Sequence, residues 1–116
     1  MDYGKYTILN AHKINDIIGI GVDFIYNGNI EITNCDLLAR NIIVNGNIRM
    51  YGQGVINGTS LIKCSVSIHT NGNVIGGIIE TKGNIISSSG SVIACNSLKA
   101  NNIFVKKRNR MCQWYY

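Results

Sequence analysis

Aliphatic residues return along this chain with a period of 18 or 19 residues, and few folds can accommodate that spacing. One series runs Ile30, Ile48, Val66, Ile85, Ile103. A second runs Leu37, Val55, Val74, Val92, and a third Ile43, Leu61, Ile79, Leu98. Neighbouring series are five to eight residues apart. Three aliphatic anchors per period describe a triangular coil whose sides are short strands and whose corners are turns. Stacked coils place each anchor above its equivalent, so the core becomes three ladders along one axis. At the usual strand spacing of about 4.8 Å, about five coils make a rod ~24 Å long.

Local patterning agrees with this reading. Ile30-Glu31-Ile32, Ile48-Arg49-Met50 and Val66-Ser67-Ile68 alternate apolar with polar residues, as half-buried strands do. At Ile42-Ile43-Val44 and Ile78-Ile79-Glu80 the inward residue is ambiguous by one position. Asn27-Gly28, Asn45-Gly46, Asn57-Gly58 and Asn71-Gly72 mark corners, where positive φ is expected. The competing reading of these dipeptides is a set of two-residue hairpins in an antiparallel meander. The chain has 46% apolar and 15% charged residues and no proline, with Ile, Val, Asn and Gly dominant. That composition excludes a disordered chain and argues against helix. The expected fold is therefore all-β: one domain, a triangular parallel β-solenoid of about 18 residues per coil. Residues 1–13 are expected to form an N-terminal cap, to which Tyr3 and Tyr6 contribute. Residues 14–105 form the solenoid, with Ile14, Ile20 and Ile25 near the phase of a first coil. Residues 106–116 form a basic-aromatic tail.

At this point the repeat resembles the bactofilin family. The matching stretches are Gly72-Asn73-Val74-Ile75-Gly76-Gly77-Ile78 and Gly90-Ser91-Val92-Ile93-Ala94, followed by Leu98-Lys99-Ala100 and Ile103-Phe104-Val105. The resemblance spans roughly Asn27 to Val105. It implies a right-handed β-helix that polymerises end to end without nucleotide, as a cytoskeletal or scaffold filament. More loosely, the chain is similar to viral and adhesin β-helices, usually trimers.

Residues that could carry chemistry are few. His69 and His12 are the candidate general bases, since some triangular solenoids use a histidine between subunits. Alternation places His69 outward, as a surface residue. The six acids are Asp2, Asp16, Asp23, Glu31, Asp36 and Glu80. Only Glu31 and Asp36 are close in sequence, and they flank a corner, which does not suit a carboxylate pair for sugar cleavage. Gly19-Ile20-Gly21 has no third glycine to make a phosphate loop. Cys35, Cys64, Cys95 and Cys112 have no zinc spacing. The first three read as small buried thiols, and Cys112, beside basic residues, is the one candidate for redox or intermolecular pairing. No catalytic, cofactor-binding or metal-binding residue is expected, and no cofactor.

The net charge of +5 comes largely from Lys106, Lys107, Arg108 and Arg110. Trp114, Tyr115 and Tyr116 follow. A basic run before aromatics can bind nucleic acid by phosphate neutralisation and stacking. Alternatively the aromatics cap the last coil or seal a contact between subunits, where Trp and Tyr are favoured. The opening MDYGKYTILN lacks a basic-then-apolar leader. The stretch from Ile14 to Ile25 is too short to span a bilayer and carries Asp16 and Asp23. The expectation is an intracellular, or virion-associated, non-enzymatic protein that self-associates as a filament or closed homo-oligomer. The alternative is an accessory protein that binds nucleic acid through the tail.

Overall fold

The computed structural model describes the backbone of residues 6–10, 17–18, 23–106 and 108–111, and side chains over 23–106. All regular structure among them is β. In chain order the strands are β1 (Tyr6–Asn10), β2 (Ile17–Ile18), β3 (Asp23–Asn27), β4 (Asn29–Thr33), β5 (Asp36–Asn45), β6 (Ile48–Tyr51), β7 (Ile56–Cys64), β8 (Ile68–Thr70), β9 (Val74–Thr81), β10 (Asn84–Ser87), β11 (Ser91–Lys99), β12 (Asn102–Val105) and β13 (Arg108–Met111). One sheet is ordered β1-β4-β6-β8-β10-β12, the other β13-β11-β9-β7-β5-β2, with β3 also on β5. Every pairing is parallel. The chain is thus a parallel β-solenoid and not a meander. Strands β1 to β3 make the first coil, and β12 and β13 begin a sixth.

Strands thread past both expected boundaries of the solenoid. Tyr6–Asn10 falls within the expected cap yet pairs residue for residue with Asn29–Thr33. Arg108–Met111 falls within the expected tail yet pairs with Ser91–Ala94. In each case the backbone of an otherwise open edge strand is the template for one more rung.

Three inward columns form the core. They are Ile30, Ile48, Ile68 and Ile85, extended by Ile103; Leu37, Ile56, Val74 and Val92; and Ile42, Ile62 and Ile79, extended by Leu98. Four sequence-based anchors change. Val66 gives way to Ile68, Val55 to Ile56, Ile43 to Ile42 and Leu61 to Ile62. Val66 is 45% exposed, while Ile68, Ile56, Ile42 and Ile62 are fully buried. For Val66 the cause is an uneven period: 18 residues from Ile30 to Ile48, then 20 to Ile68, 17 to Ile85 and 18 to Ile103. The other three anchors each stand next to a second aliphatic that fits the pattern equally well. A second row of smaller residues lies beside the first, with Ala39, Gly58, Gly76 and Ala94 in register.

Two of the three corners are turns. The third is a bend inside the long strands, where the register slips at Ala39/Asn41, Gly58/Leu61 and Ala94/Ser97. A bulge of this kind sharpens the twist and turns the strand without ending it. Asn57-Gly58 therefore lies in this bend and not in a turn. A Cβ at Gly58 would overlap the Leu61 carbonyl and come within 2.7 Å of Ile62 Cγ1, so glycine is needed here for room inside the bend. Positive φ is found at Gly28, Asn34 and Gly52. Gly46 and Gly72 are not in that set. They are glycines because a Cβ would overlap the carbonyl of Gly28 or Gly54 in the coil before.

Candidate functional site

The side chains that coil stacking brings together differ from those the sequence singles out. On the outer face of the short-strand sheet, Glu31, Arg49, His69, Ile86 and Phe104 share one register column. His69 is exposed, as alternation predicts. It shares a groove of about 260 Å³ with Arg49, Tyr51, Asn71, Ile86 and Ser88. No carboxylate lines that groove to orient the imidazole as a base. His12 lies outside the described residues.

The acids are placed on backbone and surface tasks. Asp36 Oδ1 accepts a hydrogen bond from Val55 N–H at 2.9 Å, across one coil. Asp23 Oδ1 accepts from Asn41 Nδ2 at 2.9 Å and lies 3.2 Å from the Arg40 guanidinium. Glu31 faces outward in β4, with the corner between it and Asp36, as expected from sequence. Among the described residues no three His, Cys, Asp or Glu side chains gather as metal ligands.

The thiols divide. Cys35 and Cys64 are buried and outside any disulfide. Cys64 Sγ donates to the Gly46 carbonyl at 2.9 Å, and burial pushes its pKa up. Its thiolate is correspondingly scarce at neutral pH, which suits packing and not reactivity. Cys95 is disulfide-bonded, which corrects its expected role as a buried thiol. Cys112 lies outside the described residues.

The basic run is split by the fold. Lys106 is exposed just after β12, and its N–H donates to the Ser87 carbonyl at 3.0 Å. Arg108 and Arg110 hold the β13 positions opposite Ser91 and Ile93. Lys107, Trp114, Tyr115 and Tyr116 lie outside the described residues. Lys106, Arg108 and Arg110 therefore occupy successive places on the sixth coil, with Lys106 at a corner and the arginines on a different side.

Two features are not among the residues the sequence reading singled out. The first is a ladder of corner side chains. Asn29 Oδ1 accepts from Asn47 N–H at 2.8 Å and from Asn47 Nδ2 at 3.1 Å. Ser67 Oγ accepts from Asn84 N–H at 3.0 Å, and Asn102 Nδ2 donates to Asn84 Oδ1 at 3.2 Å. The signal is the triplet Gly-Asn-Ile at 28–30, 46–48 and 83–85, whose asparagines Asn29 and Asn84 each accept from an asparagine of the next coil. The second is a lysine corner. Lys63, Glu80 and Lys99 stack in one outward column, and Lys82 lies beside them at the turn. The 19- and 17-residue spacings of Lys63, Lys82 and Lys99 are coil periods, so this cluster was in principle readable. Comparison with family models, with curated proteins and with solved structures gives no match to this chain.

Proposed function

We propose that this chain is a non-enzymatic structural element that self-associates through the ends of its solenoid. The observation that carries this reading is the pair of sheet ends. Strands β1 and β12 close the order of one sheet, and β2, β3 and β13 that of the other, so among the described residues each has one edge without a paired strand. Such edges recruit another strand with main-chain hydrogen bonds. The core stays partly open near both ends as well. Phe24 and Tyr26 at one end, and Leu98, Ile103 and Val105 at the other, are only half-buried against the cluster. Adding a copy there removes further apolar area from water, at about 25 cal/mol per Å². Polymerisation of the bactofilin kind is the form of this reading that end-to-end contact favours.

A second form is a closed oligomer joined side by side, as in trimeric virion β-helices. It is favoured by outward aliphatics on the long-strand sheet, with Ile25 63% exposed and Ile78 37% exposed. Light scattering with negative-stain microscopy across a salt series separates the two. Filaments that lengthen with protein concentration support the end-to-end form. Discrete closed particles support the side-by-side form, and monomers throughout overturn self-association altogether.

A further inference from the structure

A solenoid converts sequence position into height along the rod, so the uneven distribution of charge becomes a polarity of the molecule. Residues 1–58 carry four Lys or Arg and five acids; residues 59–116 carry seven Lys or Arg and one acid. The first half is thus near neutral, at −1, and the second carries +6. Three of those seven cations converge where the long-strand sheet turns into the short-strand sheet. Lys63 and Lys99 sit two rungs apart, on the order of 10 Å, with Glu80 between them and Lys82 at the adjoining turn. They line a groove of about 510 Å³ with Ser65 and Asn101. All three ammonium groups are exposed, and none has a hydrogen bond or ion pair among the described residues. By contrast Arg40, in the first half, is matched to Asp23 at 3.2 Å.

We propose that this corner is a binding site for a linear polyphosphodiester, gripped at its phosphates by Lys63, Lys82 and Lys99. Three unpaired cations around one carboxylate leave a local charge of +2 along the rod axis, which a chain of evenly spaced anions can follow. The Ser65 hydroxyl and Asn101 amide add neutral donors of the kind that position phosphate oxygens. No aromatic lines the groove, so there is no platform for stacking bases. Recognition is therefore electrostatic and independent of sequence. This goes beyond self-association and does not depend on it.

The test is fluorescence anisotropy of a labelled oligothymidylate with the full chain, across a salt series. Displacing counterions from three phosphates of a single strand predicts a log–log salt slope of about −2, a roughly 20-fold loss between about 50 and 200 mM salt. The triple variant K63Q/K82Q/K99Q should lose binding while a thermal melt shows the fold intact. Each single Lys→Gln should flatten the slope by about 0.7, which keeps the test decisive if the triple variant unfolds. A variant K106Q/R108Q/R110Q should keep the slope attributable to the corner. The proposal is overturned if the corner variants bind like the parent, or if the second variant alone abolishes binding. It is also overturned if no probe binds while particle size by scattering still responds to salt. In that case the lysines face the acids of a second copy, and self-association survives without this site.

Discussion

The two turned corners of the coil look alike in sequence, both rich in Asn and Gly, yet they obey different rules. Where the long strands pass into the short ones, the inward residues before and after the corner are four apart at three successive corners, Val44 and Ile48, Cys64 and Ile68, Thr81 and Ile85, and three apart at the next, Ala100 and Ile103. Where the short strands pass into the long ones, the separation is five, six, four and five residues: Ile32 to Leu37, Met50 to Ile56, Thr70 to Val74, Ser87 to Val92. The first corner is tied vertically. Val66 N–H donates to the Gly46 carbonyl at 3.2 Å, Gly83 N–H to Val66 at 2.6 Å and Asn101 N–H to Gly83 at 2.8 Å, beside the Asn ladder. At both corners individual side chains close individual turns as well: at the first, Gly83 N–H donates to Thr81 Oγ1 at 3.4 Å, and the second, more variable corner has two such bonds. Thr70 Oγ1 accepts from Gly72 N–H at 3.0 Å and Ser87 Oγ from Gly90 N–H at 3.0 Å. The first corner spans three or four residues and has little slack to lose, whereas the second accommodates four, five or six.

The largest effect should come from testing that difference directly. Deleting Asn47 removes its two bonds to Asn29, and drawing chain into the corner to restore its length slips β6 by one residue, which turns Ile48 and Met50 outward and Arg49 inward. We expect no cooperative unfolding transition from that variant. Deleting Gln53 takes one residue from the longest variable corner and leaves both flanking strands in phase, since loop length is a weak entropic term. A clear two-state melt is expected there, lowered by only a few degrees. Equal damage from both deletions would erase the distinction.

The difference between corners explains which parts of the fold were legible in the sequence. The strand-turn-strand rhythm, the parallel stacking and the aliphatic core all follow from a period kept across three series. The register does not, because Val55-Ile56, Ile42-Ile43 and Leu61-Ile62 offer two adjacent aliphatics and either satisfies the pattern. The long corner from Tyr51 to Val55 and the extra residue in the bend between Gly58 and Leu61 then displace the next anchor, so the inward place that an even period puts at Val66 falls on Ile68. Gly58 looks like a turn glycine beside Asn57, and only packing against Ile62 reveals the bend. The candidate site was obscured in another way. Contiguous charges such as Lys106 to Arg110 are conspicuous in a sequence, whereas Lys63, Lys82 and Lys99 become neighbours only when coils stack.

Glycine substitution tests the comparison at single residues. Gly46 lies in the first corner, and a Cβ there would overlap the Gly28 backbone and approach Asn29 Oδ1 at 2.8 Å. Backbone has nowhere to yield without opening a rung, so Gly46→Ala should cost about 3 kcal/mol, the upper range for overpacking. Urea unfolding should show the midpoint falling with an unchanged slope.

Gly52, in the variable corner, should be the mildest case, because its glycine answers a different need. Its φ is +76°, and an added Cβ would meet only the Asn34 side chain, which can swing into solvent. The remaining cost is that of a left-handed conformation for an L-residue, about 1 kcal/mol. Swinging Asn34 away also releases its hydrogen bond from Gln53 N–H at 3.1 Å, an exposed bond that water replaces. Asparagine tolerates the left-handed region better than alanine, so Gly52→Asn should recover much of what Gly52→Ala loses. At Gly46, by contrast, any side chain meets backbone, and asparagine should be at least as damaging as alanine. Urea midpoints for the four variants decide the matter. If asparagine rescues neither position, or both, the two corners share one constraint, and their difference in length has some other origin.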